Sequence, residues 1–356
     1  MAIIIGNTTV NTSIAGSNVT VNVPQGYAEY NATRNSIMPT LRLDFVNSNV
    51  LDPRVTFTRA SSATYFNSVG VLSTATNNIP RFDYNPATLV CNGLLIEQQS
   101  VNILLNSATL STQSVTTTAT TYTLSFYGTG TVTLSGTYTG SLVGTGAFPT
   151  RSTLSFTATA GSLTLTVTGT VSYAQLEALS FPTSYIATTS ASATRAVDQT
   201  SLTGTNFSSW YNATNWTTTV SAIPATIPNI SSGFEIVFEF PLDASNRILS
   251  RISTSSSVLT SYWTNNISQP QNAGGYNSAS LTANTLFQHG MTASNGSWKL
   301  ALNGTIYNSS TGYLITPASL SIGYSSNDPN GFNGWIQRFA YYPVVVSNAE
   351  LISLTS

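Results

Sequence analysis

The chain has 356 residues, enough for two or three domains with cores of their own, yet only 6% are charged, where about 25% is ordinary. A formal net charge of −1 with no basic run argues against a nucleic-acid binder, which needs clustered Lys and Arg to displace counterions from phosphates. At 41% apolar the chain is not disordered by composition, and no segment approaches the roughly 20 apolar residues of a membrane helix.

Ser, Thr, Asn and Gly fill the polar positions in place of Lys and Glu, and Thr, Tyr, Val and Phe favour pleated surfaces. The expectation is an all-β fold: an N-terminal attachment region followed by two β-sandwich (jelly-roll) domains. Near-neutral surfaces and sheet edges need covering, so a homo-oligomer is expected, with a trimer favoured. The opening Met1-Ala-Ile-Ile-Ile-Gly lacks the basic flank and apolar length of a signal peptide. Cys91 stands alone, so it can form no intrachain disulfide and reads as a small buried apolar residue.

Residues 1–40 alternate weakly (Thr8-Thr-Val-Asn-Thr, then Asn18-Val-Thr-Val-Asn-Val) and carry little side chain for a core. They read as an attachment arm or as a strand pair added to the next domain. Residues 41–105 form a segment of short strands and turns. Leu41-Arg-Leu-Asp-Phe-Val has the period of a half-buried strand. In a chain this poor in charge, Arg59, Arg81 and Asp83 are expected to tie turns together through charge-assisted bonds to carbonyls or carboxylates.

Residues 106–200 alternate strictly. Thr121-Tyr-Thr-Leu-Ser-Phe-Tyr, Thr131-Val-Thr-Leu-Ser, Thr153-Leu-Ser-Phe-Thr and Ser162-Leu-Thr-Leu-Thr-Val-Thr place apolar side chains on one face and hydroxyls on the other. Glycines between these runs mark turns, the pattern of a sandwich or jelly roll. Residues 201–215 read as an aromatic linker, and 216–356 as the last domain. There Phe234-Glu-Ile-Val-Phe-Glu-Phe puts Phe234, Ile236, Phe238 and Phe240 on one face and Glu235, Val237 and Glu239 on the other. Trp298 and Trp335 read as core, and Ser347-Asn-Ala-Glu350 reads as a capping box that starts a helical turn.

Chemistry is sparse. His289, the one histidine, lies in an alternating apolar strand and reads as facing solvent or a polar neighbour; no Gly-x-Ser-x-Gly elbow accompanies it. Glu235 and Glu239 would stand roughly 13 Å apart along a strand, beyond either glycosidase geometry. No catalytic residue and no cofactor is expected. Asp243, Asn246 and Asp328 offer loop oxygens for calcium, but a site needs six to eight of them, so turn-forming Asx residues are the favoured reading. Aromatic rings crowd the last 150 residues or so, among them Trp210, Tyr211, Trp216, Trp298 and Tyr341. Tyr262, Trp263, Asn265, Asn266 and Tyr276 combine rings that can stack on sugars with amides that can bond hydroxyls, and they form the candidate carbohydrate-binding set.

Two resemblances add to this reading. FTRASSATYF (57–66), GVL, PRFDYNPAT (80–88) and GLLIEQQSVNILL (93–105), with the closing AQLEALSFPTSYIATTSASATRAVD (174–198), resemble segments of bacteriophage virion proteins, the head-spike and tail-fibre type. In that type the closing phrase ends a domain similar to jelly-roll carbohydrate-binding modules. From Asn303-Gly304, Ile322-Gly323, Phe332-Asn-Gly334-Trp-Ile336 and Ser347-Asn-Ala-Glu350-Leu351, residues 216–356 resemble the concanavalin-like, laminin-G-type sandwich family. The resemblance implies a virion-surface appendage subunit that contacts other virion proteins and a host-surface glycan; with no long apolar segment, no membrane insertion is expected. A capsid decoration or cement protein with a purely structural role is the alternative.

Overall fold

The computed structural model describes residues 2–5, 8–11, 37–227, 234–243, 246–253, 258–263, 281–295, 297–310, 314–325 and 331–356. It falls into two compact units, residues 1–38 and 39–356. In the first, Ala2–Ile5 pairs antiparallel with Thr8–Asn11. The alternation at Asn18–Val23 lies outside the described residues. The second unit is built on strands, with two short helices, and holds two sandwiches.

The smaller sandwich is built from consecutive chain. One sheet has four strands in the order Gln113–Thr117, Gly161–Thr168, Thr131–Gly136, Gly140–Val143. The other has three, Gly146–Thr157, Thr121–Gly128 and Ser172–Glu177. Leu163, Leu165, Val132 and Leu134 of the first sheet meet Leu124, Phe126, Phe156 and Leu176 of the second in one core. Alternation therefore selects the inner face as expected. The outer face departs from expectation at Thr123 and Ser125, which are fully buried. The hydroxyl of Thr123 donates to Leu179 O at 2.8 Å, and Ser155 Oγ donates to Ser180 O at 2.9 Å, so residues 178–184 lie across that face.

The larger sandwich gathers strands from distant parts of the chain. Its eight-stranded sheet runs Thr305–Ser310, Ser297–Leu302, Phe287–Ser294, Asn215–Pro224, Gly334–Tyr342, Cys91–Ile96, Phe82–Tyr84, and Leu41–Asp44 also pairs with Gly334–Tyr342. The facing six-stranded sheet runs Val258–Trp263, Arg247–Ser253, Phe234–Pro241, Ser319–Ile322, Gln199–Thr203, Thr56–Thr58. Between them lies a core rich in rings: Trp216 and Trp298 meet edge to face at 5.7 Å, and Phe238 meets Phe339 at 5.4 Å. The helix Asn348–Leu354 closes the chain on the expected capping box, with Ser347 Oγ accepting from Glu350 N.

Three expectations are corrected. Residues 41–105 are not a segment of their own, because their strands complete both sheets of the larger sandwich. Residues 201–215 are not a linker: Leu202, Phe207 and Trp210 are buried in its core, since a strand and a short helix, Thr205–Ser208, carry them inward. Glu235 and Glu239 do not share a simple outer face. A bulge between Ile236 and Phe238 inserts a residue, so Val237 joins Phe238 and Phe240 in the core, and the two carboxylates meet different partners.

Candidate functional site

The densest polar constellation lies where the sandwiches join. Arg59 follows the strand Thr56–Thr58, Arg81 precedes Phe82–Tyr84, Glu97 follows Cys91–Ile96, and Arg195 and Asp198 flank the turn into Gln199–Thr203. All five are buried. Asp198 bridges Arg59 at 3.1 Å and Arg81 at 2.5 Å, and it also accepts from the Glu97 backbone N–H at 2.9 Å. Glu97 takes Arg81 at 2.8 Å and Arg195 at 3.0 Å, with Ser184 donating to it through both N–H and Oγ at 2.6 Å. Burial opposes the charge on Glu97, but Arg195 and Arg81 outweigh it and hold the carboxyl at about 2.

The remaining guanidinium donors bind backbone. Arg59 donates to Ser61 O, Thr76 O and Ile79 O, and Arg81 to Thr64 O, so the turns of 59–81 are tied from inside, as their charge scarcity suggested. Arg195 donates to Gln98 O and Thr183 Oγ1, and Thr183 Oγ1 in turn donates to Glu177, the last residue of a strand of the smaller sandwich. Burial pushes the Glu177 carboxyl up. The chain of contacts thus runs from one sandwich into the other. It contains no exposed nucleophile; its chemistry is that of a clamp.

Asp83 and Trp335 form a smaller tie. Asp83 accepts from Phe66 N at 2.7 Å and from the Trp335 indole N–H at 2.8 Å. Trp335 is half-buried and not a core residue, a correction with a visible cause. The register between Asn215–Pro224 and Gly334–Tyr342 slips at Ser221/Ala222, so Ile336 and Phe339 take the inner positions.

The other candidates divide. Tyr262 and Trp263 lie on the strand Val258–Trp263, with Ile248 and Arg247 as register partners, while Asn265, Asn266 and Tyr276 lie outside the described residues. Asp243 accepts from Asn246 N and Nδ2 at 2.8 and 2.9 Å, an Asx-type turn, and Asp328 lies outside the described residues. Among the described residues no group of three or more His, Cys, Asp and Glu is arranged to hold a metal. Trp210, Trp216, Trp298 and Tyr341 are core, packed edge to face or tilted against one another and not on an outer surface.

A carboxyl and an imidazole inside the larger sandwich are strongly shifted. Glu235 is pushed up to about 8 by burial, against the donors of Asn333 at 3.2 and 3.4 Å. His289 is buried and takes the second of its two expected settings, a polar neighbour: burial holds it at about 4, and its Nδ1 meets Ser250 Oγ at 3.1 Å across the core. Glu239 instead accepts from Arg247 at 3.2 Å.

One cluster escaped sequence reasoning. Phe66, Tyr127, Phe148, Tyr173 and Tyr185 come from separate strands and a loop, yet their rings lie 5.2–6.2 Å apart in a connected group. No linear spacing announces it, because each ring arrives on a different part of the chain.

No protein-family model matches the chain, and no curated protein does. Solved structures similar to part of it include the Ruminococcus gnavus IT-sialidase CBM40 bound to α2,3-sialyllactose, at 14% identity and TM-score 0.33, covering 41% of this chain and 84% of that one. Another is domain 4 of a GH43 extracellular arabinanase from Geobacillus stearothermophilus with arabinotriose, at 13% identity and TM-score 0.37, covering 45% and 73%. A third is Trypanosoma rangeli sialidase with the inhibitor DANA, at 10% identity and TM-score 0.34, covering 44% and 25%.

Proposed function

We propose that the chain is a non-enzymatic bacteriophage virion-surface protein, a tail-fibre, spike or similar appendage subunit. It attaches through residues 1–40 and holds its sandwiches out to a host-surface glycan. The observation that carries this reading is the clamp. The phage-like phrases are dispersed over 57–105 and 174–198, yet Arg59, Arg81, Glu97, Glu177, Thr183, Ser184, Arg195 and Asp198 meet in one buried network. Phrases dispersed in the sequence thus meet at one junction of the fold, which supports reading them as one unit. A homotrimer on the particle completes the proposal.

A decoration or cement role is the second reading, and a specific observation favours it. Val69, Val71, Leu89 and Val90 are 49–68% exposed, and the Gly70 turn packs against Pro86 and Leu89, so apolar side chains gather at one surface. Antibody raised against the full chain should label purified particles, and the purified chain should bind host polysaccharide without releasing oligosaccharides. Labelling of capsids with no affinity for any host surface fraction would favour decoration, and unlabelled particles would remove both readings.

A further inference from the structure

We propose that the aromatic cluster on the smaller sandwich is a sugar-binding platform, with Phe148 and Tyr173 as the stacking rings and a hexopyranosyl glycan as the ligand. This rests on the glycan-binding reading above and places its contact surface on a part of the chain that the sequence did not single out.

Three independent features of the backbone converge there. Opposite Gly146–Thr157, the strand Thr121–Gly128 slips register between Tyr127 and Gly128: Tyr127 faces Arg151 while Gly128 faces Gly146. Residues 147–150 are therefore looped out of the ladder, and Phe148 is carried out with them, 38% exposed. A second slip, between Ser125 and Tyr127, sits opposite Ser172–Glu177. Tyr173 then adopts φ 49°, a left-handed conformation that bulky residues rarely take. It leaves the ring 36% exposed. Bulges and left-handed non-glycine residues are devices that re-aim side chains at functional sites.

The rings are supported from below. Tyr127 and Tyr185 are buried under Phe148 and Tyr173, and the Arg151 guanidinium sits 5.8 Å from the Tyr127 ring centre. Arg151 is fixed in turn by Thr183 O at 2.7 Å and Ser125 Oγ at 2.8 Å. Tyr185 donates to or accepts from Ser107 Oγ at 2.7 Å, whereas among the described residues no hydrogen bond engages the Tyr173 hydroxyl.

The geometry selects the ligand. Phe148 and Tyr173 have ring centres 6.1 Å apart and planes inclined at 56°, so the pair forms a V on the scale of one sugar ring. A stable protein partner needs roughly 800 Å² on each side, far more than two partly exposed rings supply. A pyranose offers apolar C–H faces to the rings and hydroxyls to the tyrosine oxygen.

The test uses the full chain, with polysaccharide extracted from host cells and with maltohexaose, cellohexaose and mannohexaose as probes. Binding is read by calorimetry and by saturation transfer from aromatic protons. Phe148→Ala should weaken binding about tenfold or more, and Phe148→Tyr should retain it. Tyr173→Gly should also weaken it while keeping the fold, because glycine suits φ 49°. Wild-type affinity in both the Phe148→Ala and Tyr173→Gly variants would overturn the platform and leave the glycan-binding reading standing. Absence of binding by the unmodified chain to every probe would overturn both. Variants that lose self-association but keep glycan affinity would reassign the rings to a contact between copies.

Discussion

The two sandwiches are built on opposite plans. The smaller one uses neighbouring strands from 113 to 177, of alternating sequence, with a core mainly of Leu and Val and a few rings. The larger one draws strands from 41 to 342 and fills its core with interlocked Trp, Tyr and Phe. Local alternation suffices for the first. The second depends on partners brought from far along the chain, and the buried charge network is placed where the two plans meet. Charge is scarce in this protein and concentrated where distant pieces must agree on one arrangement.

Removing one member of that network should give the largest effect. Arg81→Met leaves Asp198 and Glu97 short of a buried partner, at a cost of about 3–5 kcal/mol. Denaturant unfolding measures the loss. Calorimetry should also show one transition becoming two as the sandwiches uncouple; an unchanged single transition would mean the clamp does not join them. Next comes Glu235. Its folded carboxyl is raised to about 8 from an ordinary 4.5, so its contribution is intact below pH 4.5 and lost as pH rises toward 8. Glu235→Gln should therefore flatten that decline, by an amount on the order of a few kcal/mol at pH 8, in melts collected from pH 4 to 8.

Trp335→Phe removes a bond to a buried carboxyl while keeping most of the ring's area, and should cost about 1.5–3 kcal/mol without unfolding the domain. A loss of the size expected for a core tryptophan would restore the core reading. Smallest is Ser347→Ala, which removes the helix cap and should cost about 1 kcal/mol in the same denaturant assay.

These residues also show what the sequence made legible. Thr, Leu and Val at period two disclosed the strands and, in the smaller sandwich, the inner face. The roles of Arg59 and Arg81 followed from the scarcity of charge around them. Trp335 and Glu235 were misread because one extra residue in a strand reverses the faces on one side of it relative to the other, and a bulge leaves no mark in composition. The linker at 201–215 was misread because short polar strands and a one-turn helix resemble loop until their partners are known. The aromatic platform was invisible for the same reason: its members are neighbours only after folding.

The strand Gly334–Tyr342 pairs with Leu41–Asp44 toward one end and Cys91–Ile96 toward the other, and Trp335 reaches back 252 positions to Asp83. On a ribosome adding roughly 5–20 residues per second, early strands would wait on the order of 10–50 s for that partner. Through that interval their apolar faces and open edges have only each other, or a neighbouring nascent chain, to pair with. The order of synthesis thus leaves the first strands without this partner until nearly the whole chain has been made.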